Sequence, residues 1–268
     1  MTRVAAIQMA SGPNIDANIN EASCTMKAAK NAGAELVVLP ENFALMGLHE
    51  SDHVKNAETP GAGKIQDFLA EQAEKLKIWI VGGTVPVVAG NDKTRSACFV
   101  FNDKGESVVR YDKIHLFDVE LIDSNEHYTE SRTIEPGDDI VVFDSPFGKI
   151  GLAICYDLRF PEQFRAMLDK GAEIFAVPSA FTAITGRAHW EVIVRARAIE
   201  NSSYVIAAAQ GGYHVNGRET YGDSMIVDPW GTVIDRLSSG SGFVIATLDK
   251  ERLNSIRRNF PSISHRKL

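Results

Sequence analysis

Residues 4–40, VAAIQMASGPNIDANINEASCTMKAAKNAGAELVVLP, decide the class of fold. VAAIQMA (4–10) is apolar nearly throughout, the composition of a strand covered on both faces. The polar SGPNIDAN follows. From about residue 17 to 31 the apolar Ile19, Ala22, Met26 and Ala29 recur at helical spacing. NAG (31–33) ends the helix, with Gly33 as its cap. AELVVLP (34–40) is a second strand, stopped by Pro40. Strand, helix and strand in this order make a unit with parallel-sheet character.

Outward from this unit the pattern repeats. A helix is expected at about 63–76, then a strand WIVGGTVPV (79–87). RSACFVFN (95–102) and GESVVRYDK (105–113) read as a hairpin around DKG. Residues 116–136 lack periodicity and read as a long structured loop. VVFDSPFGKIGLAICYD (141–157) is a second hairpin-like pair around SPFG. It is followed by a helix PEQFRAMLDKG, closed by Gly171, and a strand EIFAVPSA (173–180). GRAHWEVIVRARAIENS (186–202) is a long helix, and YVIAAAQGG (204–212) a strand. YGDSMIVDPWGTVIDR (221–236) holds two strands joined by DPWG, and SGFVIATLD (241–249) is a last strand. A four-layer α-β-β-α sandwich and a doubly wound α/β sheet both fit. A (β/α)₈ barrel fits less well, because hairpins interrupt the alternation. Neither GxGxxG nor GxxxxGK[ST] occurs, which removes support for nucleotide binding.

The 268 residues suit one domain, and 44% hydrophobic with 24% charged residues is ordinary for a globular protein. The formal charge of -7 disfavours non-specific nucleic-acid binding. The chain opens MTRVAAIQMA, where the apolar part is strand-length and no cleavage site follows, and no run reaches transmembrane length. A soluble, cytoplasmic protein without membrane or nucleic-acid partners is expected. Three cysteines, Cys24, Cys98 and Cys155, are too few and too widely spaced for a disulfide framework or a CxxC metal motif. Cys24 and Cys98 read as packing residues.

KIGLAICYDLRFPEQ (149–163) runs an apolar strand into Cys155, with Pro161 at the first turn of the next helix. Ligands in α/β sheets gather at the carboxyl ends of strands. Backbone N–H groups after the cysteine can face an oxyanion. A free cysteine is more often a small buried hydrophobe, but Tyr156, Asp157 and Arg159 mark the end of the strand.

A thiol nucleophile needs a proton acceptor and an oxyanion partner. Among seven histidines none sits in a recognisable motif; His115 and His189 are candidates on chemistry alone. Glu41, directly after AELVVLP, is a carboxylate alternative. Lys113, closing a strand in RYDKIHLFD, can hold an oxyanion as a fixed cation. Residue types and spacing leave the choice of base open.

At these residues the sequence resembles the nitrilase-like carbon–nitrogen hydrolases. LVVLPENF carries Glu41, RYDKIHLFD carries Lys113, HYTESRTIEPGD carries Glu130 and GLAICYDLRFPE carries Cys155, in the family's order. The likeness continues through PSAFTAITGRAHWEVIVRARAIENSSYVIAAAQ and YGDSMIVDPWG to the tail IRRNFPSISHRK. The resemblance implies an α-β-β-α sandwich. It also implies a triad of Glu41 as general base, Lys113 as oxyanion stabiliser and Cys155 as nucleophile, with Glu130 beside the lysine positioning substrate. The backbone N–H of Tyr156 would share the oxyanion hole with Lys113. Neither cofactor nor metal is implied.

Within the superfamily KIHLFDVEL, CYDLRFPEQ, PSAFTAITG and HWEVIVRARAIE are most similar to the deaminated glutathione amidases. These cleave the 2-oxoglutaramyl amide of deaminated glutathione to 2-oxoglutarate and Cys-Gly. The ω-amidases, acting on 2-oxoglutaramate and 2-oxosuccinamate, share nearly the same motifs, and a carbamoylase or nitrilase ranks lower. Arg159 is the candidate receptor for the 2-oxo acid end, against an ion pair with Asp157 or Glu162. Relatives often have TGPAHW where this chain has TGRAHW. Thr185 and Arg187 would then line the pocket rim ahead of a helix starting at His189, Arg187 offering a second cation. DSNEHYTES (123–131) also departs from the usual glycine-containing loop. A non-catalytic family member is the reading of a different class, and intact Glu41, Lys113, Glu130 and Cys155 speak against it. One domain over 1–268 is expected, with residues from about 253 to 268 as a tail used in a homodimer or higher oligomer.

Overall fold

The computed structural model describes residues 2–121 and 126–267. Two sheets stack face to face with helices outside each, the α-β-β-α arrangement expected. In the first sheet β1 (Thr2–Gln8) pairs in parallel with β2 (Leu36–Val38) and antiparallel with β17 (Gly242–Leu248). Beyond β2 come β3 (Trp79–Val81), β5 (Thr94–Phe101) and β6 (Ser107–Asp112). The second sheet runs β16 (Val233–Leu237), β15 (Ser224–Val227), β12 (Tyr204–Ala209), β11 (Ile174–Ser179), β10 (Gly148–Leu152) and β9 (Val142–Ser145).

Alternation along β1 explains the layering. Val4 and Ala6 join the core between the sheets, while Ala5 and Ile7 face the outer helices. A strand covered on both faces needs apolar residues at successive positions, as VAAI supplies. Helix α1 (Ile15–Asn31) buries Ala22, Met26 and Ala29 there, beside α3 (Lys64–Leu76). Asn14 caps α1 by accepting from the Ala17 N–H at 3.0 Å. Asn18 takes the remaining buried place on α1 and donates to the Gly12 and Ala44 carbonyls, each at 2.8 Å. Cys24 corrects its expectation as a packing residue: it is exposed, pointing away from the Ala22–Met26–Ala29 stripe. Cys98 is fully buried as expected.

WIVGGTVPV is not one strand. It breaks into β3 and β4 (Val85–Val88), which lie one after the other along the same edge of β5. The break is steric: Gly83 has φ +58°, and a Cβ there would come within 2.2 Å of the Pro40 carbonyl. The crowding arises where the chain leaves β2 towards Glu41.

Three further differences bear on the site. The stretch read as a loop over 116–136 contains a two-stranded ribbon, β7 (Asp118–Glu120) with β8 (His127–Thr129), and a 3-10 turn Glu130–Arg132. Of the departing loop 123–131, residues 123–125 lie outside the described residues. The long helix α5 (Ala183–Asn201) begins well before His189, because the Thr182 hydroxyl caps it by accepting from the Thr185 N–H. YVIAAAQGG ends as a strand at Ala209, and β13 (Gly211–Tyr213) turns into a hairpin with β14 (Glu219–Tyr221).

The short α2 (Ser51–Lys55) precedes α3, and α4 (Pro161–Asp169) packs with α5 over the second sheet. The end of the chain is more than a tail. Asp249 caps a helix α6 (Lys250–Asn259), which buries Leu253. Arg257 donates to the carbonyls of Ser202 and Ala172, each at 2.9 Å, so this end folds onto its own body. Among the described residues no helix is long and apolar enough to cross a membrane.

Candidate active site

The carboxyl ends of β2 and β10 and the end of β6 open onto one cavity of about 470 Å³, lined by Glu41, Lys113, Glu130, Cys155, Tyr156, Arg159 and Thr185 among others. Three strands from two sheets thus deliver the residues that sequence alone could not place together.

Glu41 leaves β2 through a turn fixed on several sides. Asn42 sits in the left-handed region at φ +57°, and its N–H donates to the Thr84 hydroxyl at 2.7 Å. Gln210, from the second sheet, donates to the Glu41 carbonyl at 3.0 Å. The side chain of Glu41 is 5% exposed and accepts from Lys113 Nζ at 2.8 Å.

Lys113 is 2% exposed and lies between two carboxylates. Its Nζ also reaches both oxygens of Glu130 at 2.9 Å, while the Phe117 N–H fixes Glu130 Oε2 at 2.6 Å. Burial alone would pull the lysine pKa down. Glu130 and then Glu41 outweigh it and hold the ammonium well above its ordinary value. Burial raises the Glu130 pKa, Lys113 works against that, and the nearby Glu41 charge adds to it.

Cys155 does not sit on the strand itself. Ile154 is extended, and Cys155 then turns to φ +47° at the head of a 3-10 turn Cys155–Arg159. A left-handed non-glycine residue costs about 1 kcal/mol or more and persists where its surroundings hold it. Here the holder is Asp157, fully buried, which accepts from the Ile154 N–H at 2.8 Å, the His115 N–H at 2.9 Å and the Tyr111 hydroxyl at 2.6 Å. The thiol lies 3.5 Å from the Ala180 N–H, beyond β11. Burial first, and the Glu41 carboxylate second, push its pKa well above the ordinary thiol value, against the pull of Lys113 and the Ala180 N–H. A thiol held in this way would need a base before it could act as a nucleophile.

The two histidine candidates for that base fall away. His115 Nδ1 lies 2.8 Å from Asp157 Oδ1, and its ring stacks on Phe160 at 3.6 Å, off the cavity wall. His189 is exposed and contacts Arg159 Nη1 at 3.1 Å. Glu41 is the carboxylate the thiol meets.

Arg159 lines the cavity, its guanidinium over the rings of Phe181 and Tyr156 at 5.0 and 5.8 Å. The alternative ion pairs with Asp157 or Glu162 do not form among the described residues: Asp157 is taken up by Tyr111, His115 and Ile154. Thr185 lines the cavity from the first turn of α5. Arg187, expected beside it at the rim, is exposed and off the cavity, between the buried Gly186 and Trp190 of α5. Sequence reasoning missed His53 on α2 and Arg218 on the β13–β14 hairpin, both in the wall. Burial holds the His53 imidazole below its ordinary value. The NG pair before Arg218 marks a turn, but no local signal aims that turn at Cys155. Among the described residues no group of three His, Cys, Asp or Glu side chains could hold a metal ion.

The sequence model of the carbon-nitrogen hydrolases matches residues 3–258. A protein of Synechocystis sp. named deaminated glutathione amidase is 42% identical over 266 residues, covering 98% of this chain and 97% of its own. The NitFhit protein of C. elegans superposes with a TM-score of 0.92 at 35% identity, covering 99% of this chain, which spans 65% of that longer one. Saccharomyces cerevisiae Nit3, described as a member of branch 10 of the nitrilase superfamily, superposes at 0.88 with 32% identity, covering 97% of this chain and 94% of its own. Strands, cavity and matches agree, and the chain belongs to the carbon-nitrogen hydrolase family.

Proposed function

We propose that this protein is a cysteine-dependent amidase that hydrolyses deaminated glutathione, 2-oxoglutaramyl-Cys-Gly, to 2-oxoglutarate and Cys-Gly. The observation that carries the amidase chemistry is the buried Lys113 ammonium, shared by Glu41 and Glu130 in the cavity that Cys155 also lines. The substrate follows from the full-length likeness to proteins named deaminated glutathione amidase.

Glu41 takes the thiol proton as Cys155 Sγ bonds to the amide carbon. The carbonyl oxygen becomes an oxyanion, stabilised by Lys113 Nζ and the Tyr156 N–H. Collapse breaks the carbon–nitrogen bond, and Glu41 gives its proton to the departing amine. A water then loses a proton to Glu41 and attacks the thioester. The carbon–sulfur bond breaks, and the proton on Glu41 returns to sulfur. Glu130 keeps Lys113 charged and in place throughout. Arg159, with Thr185 nearby, receives the 2-oxo acid end.

Steady-state hydrolysis of deaminated glutathione beside 2-oxoglutaramate tests the substrate, with C155A as the blank. A kcat/KM about a hundredfold higher for deaminated glutathione is expected. The reverse preference makes the enzyme an ω-amidase, the second reading.

We place the enzyme in the cytoplasm as a homodimer or higher oligomer built from one domain over 1–268. All three cysteines are free, as suits a reducing compartment. Val192 and Ile199, two turns apart on α5, are 69% and 48% exposed and offer an apolar face for a second copy. Sedimentation of V192D as a smaller species than wild type is the expected outcome; an unchanged species rejects the α5 interface.

A further inference from the structure

Two guanidinium groups face the catalytic cavity without a carboxylate partner among the described residues, Arg159 and Arg218. Several other arginines meet carboxylates: Arg95 lies against Asp112, Arg236 against Asp223 and Arg252 against Asp228. Arg159 has a role in the reading above, at the acyl end. Arg218 has none.

The position of Arg218 is set by two contacts. Its Nη2 donates to the Ala180 carbonyl at 2.6 Å, and its guanidinium lies over the Tyr128 ring at 5.1 Å. Its Nε is buried and makes no hydrogen bond among the described residues. An unbonded buried N–H costs about 1–3 kcal/mol, and a charged donor more. The group is therefore a fixed cation, and since Nε is closed off, the donors it can offer a ligand are those of its Nη nitrogens. Ala180 links it to the chemistry: the same residue whose carbonyl Arg218 holds presents its N–H to Cys155 Sγ.

The two arginines reach the cavity from different elements. Arg159 belongs to the turn that carries Cys155 and packs on Phe181 and Tyr156 beside the sulfur. Arg218 belongs to the β13–β14 hairpin, whose Asn216 donates to the Gly47 carbonyl across the opening at 2.8 Å. Its charge is felt by Tyr128, His53 and His214. With a scissile amide at Cys155 and the acyl carboxylate on Arg159, Arg218 is the remaining guanidinium in the cavity wall that a charge on the leaving group could meet.

We propose that Arg218 is the specificity residue for the leaving group, taking the terminal carboxylate of a dipeptide amine while Arg159 takes the acyl carboxylate. The assignment rests on the amidase reading above and replaces the outward-facing Arg187 as the second cation. A fork-shaped guanidinium suits a carboxylate in a bidentate pair. The stacking on Tyr128 holds the fork in place before substrate arrives.

The test compares deaminated glutathione with the same compound carrying a C-terminal carboxamide. In wild type the carboxylate raises kcat/KM, mainly through KM. R218Q lowers kcat/KM for the carboxylate form about thirtyfold more than for the carboxamide form, the range expected for one lost charge-assisted pair. R218K keeps a donor for Ala180 and recovers part of that discrimination. An equal loss on both substrates, or selective loss in R187Q in place of R218Q, overturns the proposal.

A second measurement needs no substrate turnover. N-iodoacetylglycine and its carboxamide alkylate Cys155, followed by mass spectrometry of the Cys155 peptide so that the exposed Cys24 does not contribute. R218Q lowers the acid-to-amide rate ratio about tenfold. An unchanged ratio overturns the assignment. A fallen ratio in an enzyme that ignores deaminated glutathione keeps Arg218 as a carboxylate receptor and rejects the substrate.

Discussion

The Tyr111 hydroxyl donates to Asp157 Oδ2 at 2.6 Å behind the nucleophile, tying the end of β6 to the turn that presents Cys155. Tyr111 is buried, and Gln163 Nε2 donates to its oxygen at 2.9 Å. Lys113 lies two residues further along the same strand direction. The bond therefore fixes the Lys113 end of this strand relative to the sulfur.

Y111F removes this donor and leaves Gln163 without its acceptor. Loss of about 1–3 kcal/mol of stability is expected, together with a fall in kcat of about tenfold at little changed KM. Urea unfolding and steady-state kinetics measure the two. Unchanged kcat in a destabilised protein would make the bond structural only.

Lys113 separates two carboxylates. K113M leaves Glu41 and Glu130 facing each other unpaired and is expected to lower stability by about 3–5 kcal/mol while abolishing turnover. Adding E130Q to K113M recovers stability, because one of the two charges is gone, but not activity. Thermal melting of the three proteins decides this.

The raised thiol pKa of Cys155 gives a pH signature. Its thiolate population, and so its alkylation by iodoacetamide in the resting enzyme, keeps rising beyond pH 9 where an ordinary thiol levels off. E41Q removes a negative charge that opposes ionisation, so its profile moves to lower pH. A plateau below pH 7 in wild type would mean a resting thiolate.

Cys98 has the same raised direction from burial alone, with the Gly82 N–H opposing it. Above the ordinary thiol pKa the unfolded chain loses this proton while the folded one keeps it. Stability from this group is therefore full below about pH 8.5 and falls at higher pH by about 1.4 kcal/mol per pH unit. Urea midpoints compared between pH 8 and pH 10 should fall less in C98A than in wild type. Parallel falls would refute the linkage.

Much of the fold was legible because its strands are covered on both faces and so carry continuous apolar runs, as in VAAIQMA, EIFAVPSA and YVIAAAQ. The break in WIVGGTVPV was not, since it depends on the Pro40 carbonyl meeting Gly83, a contact between distant residues. Cys24 was misread because it stands between Ala22 and Met26 in sequence yet faces away from both. At the site, family motifs named Glu41, Lys113, Glu130 and Cys155, and the structure brings all four to one cavity. Arg218 was out of reach. Its hairpin is positioned by Ala180 and Tyr128, and nothing beside it in sequence reports that.

The left-handed backbone at Cys155 sets reactivity against rest. At φ +47° any side chain with a Cβ is strained, and only glycine is at ease. Among inactive variants, C155G should melt above C155A. A descendant copy released from selection for hydrolysis would gain most by losing its sulfur to glycine, so decay of function and gain in ruggedness would share one codon.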